Sequence, residues 1–492
     1  GYKNAVLLGM GGSSLAADVF RKIFGRKTGY PNLLIWDSTD PFALARISQT
    51  LQPEETFYFV SSKSGTTLET VLLFHYFYNS ARNKLGQRAG GHFIIITDPD
   101  SPLEDIAYRL SLRHVFLSNP AIGGRYAALS FPGIVPAMLA GTDVDRLLQN
   151  ALAVTKKEMA AAGNNCTSTA GLLGAALGAL ALRGRNKLTF IFPPLWKPLG
   201  VWLEQLIAES TGKEGRGIIP VCEEMLQEPA TYNDDRLFVV FQSKTKPAAA
   251  RISQIIAAGH PVITVRLTDK FQLGGQMFLW EMATAVAGHI LGINPFNQPD
   301  VEATKTITRR IIDLYRGKKE LPSEKAFIAR EDCSVYLSGE STAATPAAAL
   351  VDFLNAANKS AYVCLQIFLK STPEINAALR RLRAAIRSRY RLAVTIGYGP
   401  RYLHSIGQLH KGDTGKGLFI QFTADNKRDI DIPDVPGSAG STLTFGTLQS
   451  AQAIGDRQAL IGLGRKVIRF HLKKNISANI KLLADHLQKI TA

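Results

Sequence analysis

The sequence predicts an α/β protein with two doubly wound parallel-sheet domains and an additional C-terminal α/β region. Three observations carry this prediction. Short apolar runs alternate with stretches of 3.6-residue periodicity. The runs stay apolar instead of alternating with polar residues, as strands covered on both faces do. The strand–helix pattern also stops and restarts along the chain, and 492 residues at about 150 per domain give two to four domains.

Taken in order, residues 1–162 form the first domain. Strands are expected at 5–10, 33–37, 57–61, 93–97 and 115–117, with helical periodicity over 68–78 and a helix over 143–162. Gly163-Asn164-Asn165 marks a junction. The second domain, 163–325, restarts with strands at 188–192, 237–241 and 262–265 and ends in the charged linker 316–325. The third region, 326–492, has strands at 335–337, 363–367, 392–396 and 418–422.

Composition narrows the function. The longest nearly unbroken apolar stretch, residues 171–182, is too short to cross a bilayer, and no secretory leader opens the chain. The first residue is Gly, so the chain is expected to be processed, tagged or cut from something longer. Four cysteines (Cys166, Cys222, Cys333 and Cys364) show no metal-binding spacing and read as reduced, buried thiols of a cytoplasmic protein. A net charge of +17 favours anionic ligands or nucleic acid without choosing between them. The densest basic run, 380–391, places Arg380, Arg383, Arg387 and Arg391 at helical spacing and reads as a solvated helix face.

In open α/β sheets ligands sit where strands lead into helix N-termini, so the strand-to-helix loops are the places to look. The first strand ends in Gly9-Met10-Gly11-Gly12-Ser13-Ser14, whose glycines let backbone approach an anion. Ser14 stands where a dinucleotide loop needs a third glycine, although Asp37 mimics its ribose-binding acid. The third strand ends in Ser61-Ser62-Lys63-Ser64-Gly65-Thr66-Thr67, a density of hydroxyls and amides suited to a phosphate monoester. Thr66 and Glu69 also fit a capping box. Gln205 and Glu209, four apart, share one helix face, and Glu209 is a candidate general base. Asn297 is expected to cap a helix with Pro299 in its first turn, and Lys305 to share a face with Gln298.

Together these segments resemble phosphoglucose isomerases, α/β sugar isomerases of the SIS type. The matching pieces are GMGGS (9–13), SKSGTT (62–67), GGR (123–125), EQLIAESTGKEGRG (204–217) and GINPFNQPDVEATK (292–305), in the family's order. Each alone is weak; five in register are specific. The C-terminal region, with Phe445-Gly446-Thr447-Leu448, is most similar to bifunctional transaldolase/phosphoglucose isomerases, which implies a transaldolase part not included in this chain.

The resemblance implies interconversion of glucose 6-phosphate and fructose 6-phosphate, in glycolysis and gluconeogenesis, with no cofactor and no metal. By matched position, Ser62, Lys63, Ser64 and Thr67 form the phosphate loop, and Gly12 and Ser13 the sugar-contacting loop. Glu209 is the base moving a proton between C1 and C2. Gln205, Gln298 and Arg125 hold the sugar, Arg125 also steadying the enediolate, and Lys305 lies near the ring oxygen. The implied partner is a small sugar phosphate, not nucleic acid or membrane, with a homodimer as the assembly.

One element departs from the family. Its ring-opening histidine lies between the glutamate and the lysine; here the matching Leu403-His404-Ser405-Ile406-Gly407-Gln408 follows Lys305. In the family a neighbouring subunit contributes this histidine, so a shift in sequence need not be a shift in space. His404 is favoured, with His260 the rival. Two other functions compete: a non-catalytic sugar-phosphate sensor on the same fold, and an NAD-dependent enzyme.

Overall fold

The computed structural model of the chain describes residues 1–163, 168–243, 249–426 and 428–489. Strands β1 (Asn4–Gly9), β2 (Asn32–Trp36), β3 (Thr56–Ser61), β4 (Phe93–Thr97) and β5 (His114–Leu117) form a parallel sheet in the order β2-β1-β3-β4-β5. Ala5, Leu7, Phe57 and Phe59 fill the core on one face, and Val6, Leu8, Tyr58 and Val60 that on the other. Neighbouring residues of one strand are thus both buried, which is why no polar alternation marks these strands.

A second parallel sheet contains β6 (Lys187–Ile191), β7 (Ile219–Val221), β8 (Arg236–Gln242) and β9 (Val262–Arg266), ordered β7-β6-β8-β9. The apolar stretch noted in the sequence is the helix Thr169–Leu182, packed on the helix Gln272–Leu291. Gly174 permits this approach, since a Cβ there would lie 2.4 Å from the Ala283 carbonyl oxygen. Among the described residues no helix is long and apolar enough to cross a membrane.

The third sheet contains β10 (Ile328–Ala329), β11 (Cys333–Leu337), β12 (Tyr362–Phe368), β13 (Ala393–Tyr398) and β14 (Gly417–Ala424). After a small ribbon, β15 (Asp431–Ile432) with β16 (Leu443–Thr444), it is completed by β17 (Lys466–Leu472). Its order is β10-β11-β17-β14-β12-β13, with β11 antiparallel to both its neighbours and the remaining pairs parallel. β7 and β10, three and two residues long, carry no periodicity to read.

The sheets share cores. Ile219 and Val221 of the second sheet pack with Tyr362, Cys364 and Phe419 of the third. Phe445 and Leu448 pack with Val60 and Phe74 against the first. One expectation fails here. Arg383 and Arg387, on the helix Pro373–Tyr390, are buried rather than solvated. Arg383 donates to the Cys222 and Glu223 carbonyls, and Arg387 pairs with Glu224 at 3.2 Å, where Glu224 also meets Arg236 at 3.2 Å. Burial of that face against the second sheet, invisible to helical spacing, turns a basic stripe into a fastening. Cys333 and Cys364 are buried and Cys222 half-buried, all three as free thiols; Cys166 and the junction residues Asn164 and Asn165 lie outside the described residues.

Candidate active site

The glycine loop is held by its neighbours. Gly11 has φ +55°, and a Cβ there would stand 2.5 Å from the His404 carbonyl oxygen and 2.8 Å from Gln205 Nε2. A Cβ on Gly12 would fall 2.2 Å from the Gly124 carbonyl oxygen. Small residues therefore let the turn Gly11–Ser13, the segment bearing Arg125 and the segment bearing His404 converge. Ser14, in place of a third glycine, is buried and turns its hydroxyl to the Gly11 carbonyl at 3.3 Å. Asp37 is not free for a ribose, since Arg401 Nε meets it at 3.1 Å.

The helix Leu199–Thr211 places Gln205 and Glu209 on one face, as the spacing required. Gln205 Nε2 donates to Glu209 Oε2 and to the His404 carbonyl, each at 2.9 Å. Because both acceptors face the nitrogen, the amide orientation is fixed, and Gln205 Oε1, buried, finds no partner among the described residues. It is an acceptor suited to a sugar hydroxyl.

Arg125, only 3% exposed, is fully engaged. Nη1 lies 3.3 Å from Glu209 Oε1 and donates to Gln298 Oε1 at 3.0 Å; Nη2 donates to the Pro295 and Asn297 carbonyls; Nε donates to Ser210 Oγ at 2.7 Å. Its rigid fork thus fixes both the carboxylate and the loop bearing Gln298. Lys213, buried beside it, grips the same loop through the Asn294 and Asn297 carbonyls. Burial there lowers the Lys213 ammonium to about 8.

Two expectations about that loop are corrected. Asn297 does not cap the following helix Val301–Lys318, whose N-cap is Asp300; its side-chain oxygen accepts from Lys213 at 3.0 Å. Gln298 lies before the helix, so it shares no helical face with Lys305. Lys305 meets Glu302 at 2.7 Å, and its charge is felt at His404.

The serine-rich loop precedes the helix Leu68–Leu85, whose N-cap Thr67 makes no side-chain capping bond. Ser62 Oγ instead donates to Thr67 Oγ1 at 3.0 Å, and Ser64 and Thr66 pair through their hydroxyls at 3.0 Å. The helix positive end and its first N–H groups face this loop, an arrangement that receives phosphate. Lys63 is the exception: its ammonium is bound to Asp98 and to the Pro120 carbonyl and its own carbonyl accepts from Asp98 N, leaving its backbone N–H as the part available to a ligand.

Glu69 forms no capping box. It is buried in the first turn of that helix, and its Oε1 lies 2.8 Å from His404 Nε2. Burial alone would lower the imidazole, yet the Glu69 carboxylate outweighs it and holds His404 above its ordinary value. Glu69 is correspondingly held below the usual carboxylate range: burial would raise it, but the His404 charge prevails. Within a single chain, then, the displaced histidine reaches the phosphate-loop helix and the Gln205 amide. His260 does not enter the site; it is buried against Tyr232 and Phe238 beside the second sheet.

Glu69 carried a sequence signal, an acid two residues after the phosphate loop, but capping explained it equally well. Gln452, which donates to Glu69 Oε1 at 2.6 Å, carried none.

Three α/β sheets meeting at a glycine turn, a hydroxyl-rich loop before a helix, a carboxylate–arginine pair and a carboxylate–histidine pair fit an α/β enzyme for phosphorylated sugars. The phosphoglucose isomerase family model matches residues 2–218. The glucose-6-phosphate isomerase of Rubrobacter xylanophilus is 30% identical over 359 residues, spanning 63% of this chain and 82% of that one. That of Campylobacter jejuni is 27% identical, spanning 63% and 86%. The chain belongs to the phosphoglucose isomerase family. A crystal structure of a hypothetical protein from Thermus thermophilus superposes with a TM-score of 0.57 at 25% identity, covering 63% of this chain and 83% of that one. The glucose-6-phosphate isomerase of Chlamydia trachomatis, at 20% identity and a TM-score of 0.53 over 65% and 71%, shares the fold.

Proposed function

We propose that the chain catalyses the reversible isomerisation of glucose 6-phosphate and fructose 6-phosphate through an enediolate, a step of glycolysis and gluconeogenesis. The observation that carries this is the unbroken run of contacts from the phosphate loop through Glu69, His404 and Gln205 to Glu209 and Arg125. The phosphate rests on Ser62, Ser64, Thr67 and the Lys63 backbone, and Gly12, Ser13, Gln205 and Gln298 hold the sugar. Imidazolium His404, with Lys305 nearby, protonates the ring oxygen as the C1–O5 bond breaks and the C1 hydroxyl releases its proton to water. Glu209 takes the C2 proton and returns it to C1, the hydroxyl proton passes from O2 to O1, and Arg125 steadies the enediolate charge between these steps. Binding the remote phosphate orients the reacting end.

The names of the relatives support the same reaction. Purified chain, given glucose 6-phosphate and no cofactor, is expected to reach an equilibrium mixture containing fructose 6-phosphate; absence of conversion would overturn the reading. The same reading extends to a cytoplasmic homodimer and to a transaldolase segment ahead of residue 1, which cell fractionation, sedimentation and the full-length transcript test respectively.

A further inference from the structure

We infer that Gln452, in the C-terminal region, is a positioning residue for ring opening, because its amide fixes the Glu69 carboxylate that holds His404. The inference rests on the reading of His404 as the ring-opening acid.

Gln452 lies on the helix Phe445–Gly462 and is 3% exposed. Its Nε2 donates to Glu69 Oε1 at 2.6 Å, the same oxygen that faces His404 Nε2 at 2.8 Å. Thr39 Oγ1 donates to Gln452 Oε1 at 3.3 Å, which keeps the amide nitrogen turned toward the carboxylate. Four residues on, on the same helix face, buried Asp456 grips both flanks of the histidine segment. Its Oδ2 accepts from Tyr402 at 2.6 Å, and its Oδ1 meets Lys411 Nζ at 2.7 Å. One face of one helix therefore steadies Glu69 through Gln452 and the His404 turn through Asp456. Gln452 and Asp456 both lie outside residues 2–218, the segment matched by the family model.

The charged groups acting on His404 are Glu69, Lys305 and Glu209. A donor on Glu69 Oε1 stabilises the carboxylate charge and competes with the imidazole for one oxygen. Removing that donor leaves more of the charge to the imidazolium, so His404 keeps its proton to higher pH. The carboxylate is also freer to rotate, so the acid is presented less often.

The test is Gln452→Met, which keeps the length of the side chain and removes the donor. Three readouts are taken: kcat on ring-closed glucose 6-phosphate, its pH profile, and solvent-deuterium entry at C1 of a fructose 6-phosphate analogue lacking the C5 hydroxyl, which cannot close a ring. Partners that orient a metal-bound histidine are typically worth about 10–100-fold; at the low end of that scale for this hydrogen-bonded one, kcat on the closed sugar should fall by about 10-fold. The basic limb should move to higher pH, and exchange in the open analogue should stay at the wild-type rate. Gln449→Met, on the same helix but directed to Asp40, should leave the limb in place. If Gln452→Met does not accumulate folded, Gln452→Glu, which sets a second negative charge beside Glu69, should move the limb upward as well. His404→Asn is run in parallel: undiminished turnover of the closed sugar there would overturn the underlying reading. A His404→Asn loss beside a Gln452 variant with an unmoved limb, or with equal losses on both sugar forms, would overturn this inference alone.

Discussion

At the scale of single residues, the proposed reaction turns on the pairing of Glu69 with His404. An acid must be protonated to act, so if His404 is the proposed acid, activity on a closed ring should be present below its pKa and lost as pH rises through it. Glu69 raises that pKa against the effect of burial. Glu69→Gln removes the counter-charge, so the basic limb of the pH–rate profile on glucose 6-phosphate should move to lower pH, measurable as initial rates between pH 6 and 10. An unmoved limb would mean that another group gives the proton. Sequence reading reached His404 through its flanking residues, but not its partner. Glu69 and His404 are 335 positions apart, and no local pattern connects them. Gln205 and Glu209 were legible together because a four-residue step on one helix is a local relation.

At the scale of elements, turns do the assembling. The Ser62–Thr67 loop was legible as a candidate for phosphate because its hydroxyls crowd directly before a helix. What escaped the sequence was the fate of individual groups: Lys63 is taken by Asp98, and Asn297 by Lys213. Ser64→Ala combined with Thr67→Ala should weaken sugar-phosphate binding, each charge-assisted hydrogen bond being worth roughly 1.5–3 kcal/mol. Calorimetric titration reads this directly, and unchanged affinity would place the phosphate elsewhere. The glycine turn makes a second demand. Gly12→Ala would set a methyl group 2.2 Å from the Gly124 carbonyl oxygen, backbone that cannot swing aside. Overpacking of this kind costs typically 1–3 kcal/mol, and Arg125 is the next residue along. Both melting temperature and kcat/KM should fall; retention of both would mean that the two turns move apart freely.

At the scale of the whole molecule, three sheets each bring residues to the proposed centre: the first the Ser62–Thr67 loop and Glu69, the second Glu209, the third His404. The α/β class and most strands of all three sheets were legible from apolar runs and their restarts. The way the sheets join was not, since a buried arginine and a solvated one have the same spacing along a helix. Glu224 sits between Arg236 and Arg387, both buried, at the seam of the second and third sheets. Glu224→Leu would leave two buried guanidinium groups without their carboxylate, and breaking a buried pair in this way costs about 3–5 kcal/mol. Denaturant unfolding should show the loss, and a variant as stable as the parent would mean that the seam is held by its apolar contacts alone.

The proposed reaction divides its labour between a base from the second sheet and an acid from the third, and proton exchange separates the two. Wild-type chain, His404→Asn and Glu209→Gln are each given ring-closed glucose 6-phosphate and the C5-deoxy fructose 6-phosphate analogue in deuterated water, with exchange followed by proton magnetic resonance. His404→Asn should lose turnover of the closed sugar while still carrying deuterium into the open analogue. Glu209→Gln should lose both, by about 10²–10⁴-fold, the typical worth of a general base. Exchange persisting in Glu209→Gln, or lost equally from both sugars in His404→Asn, would contradict it.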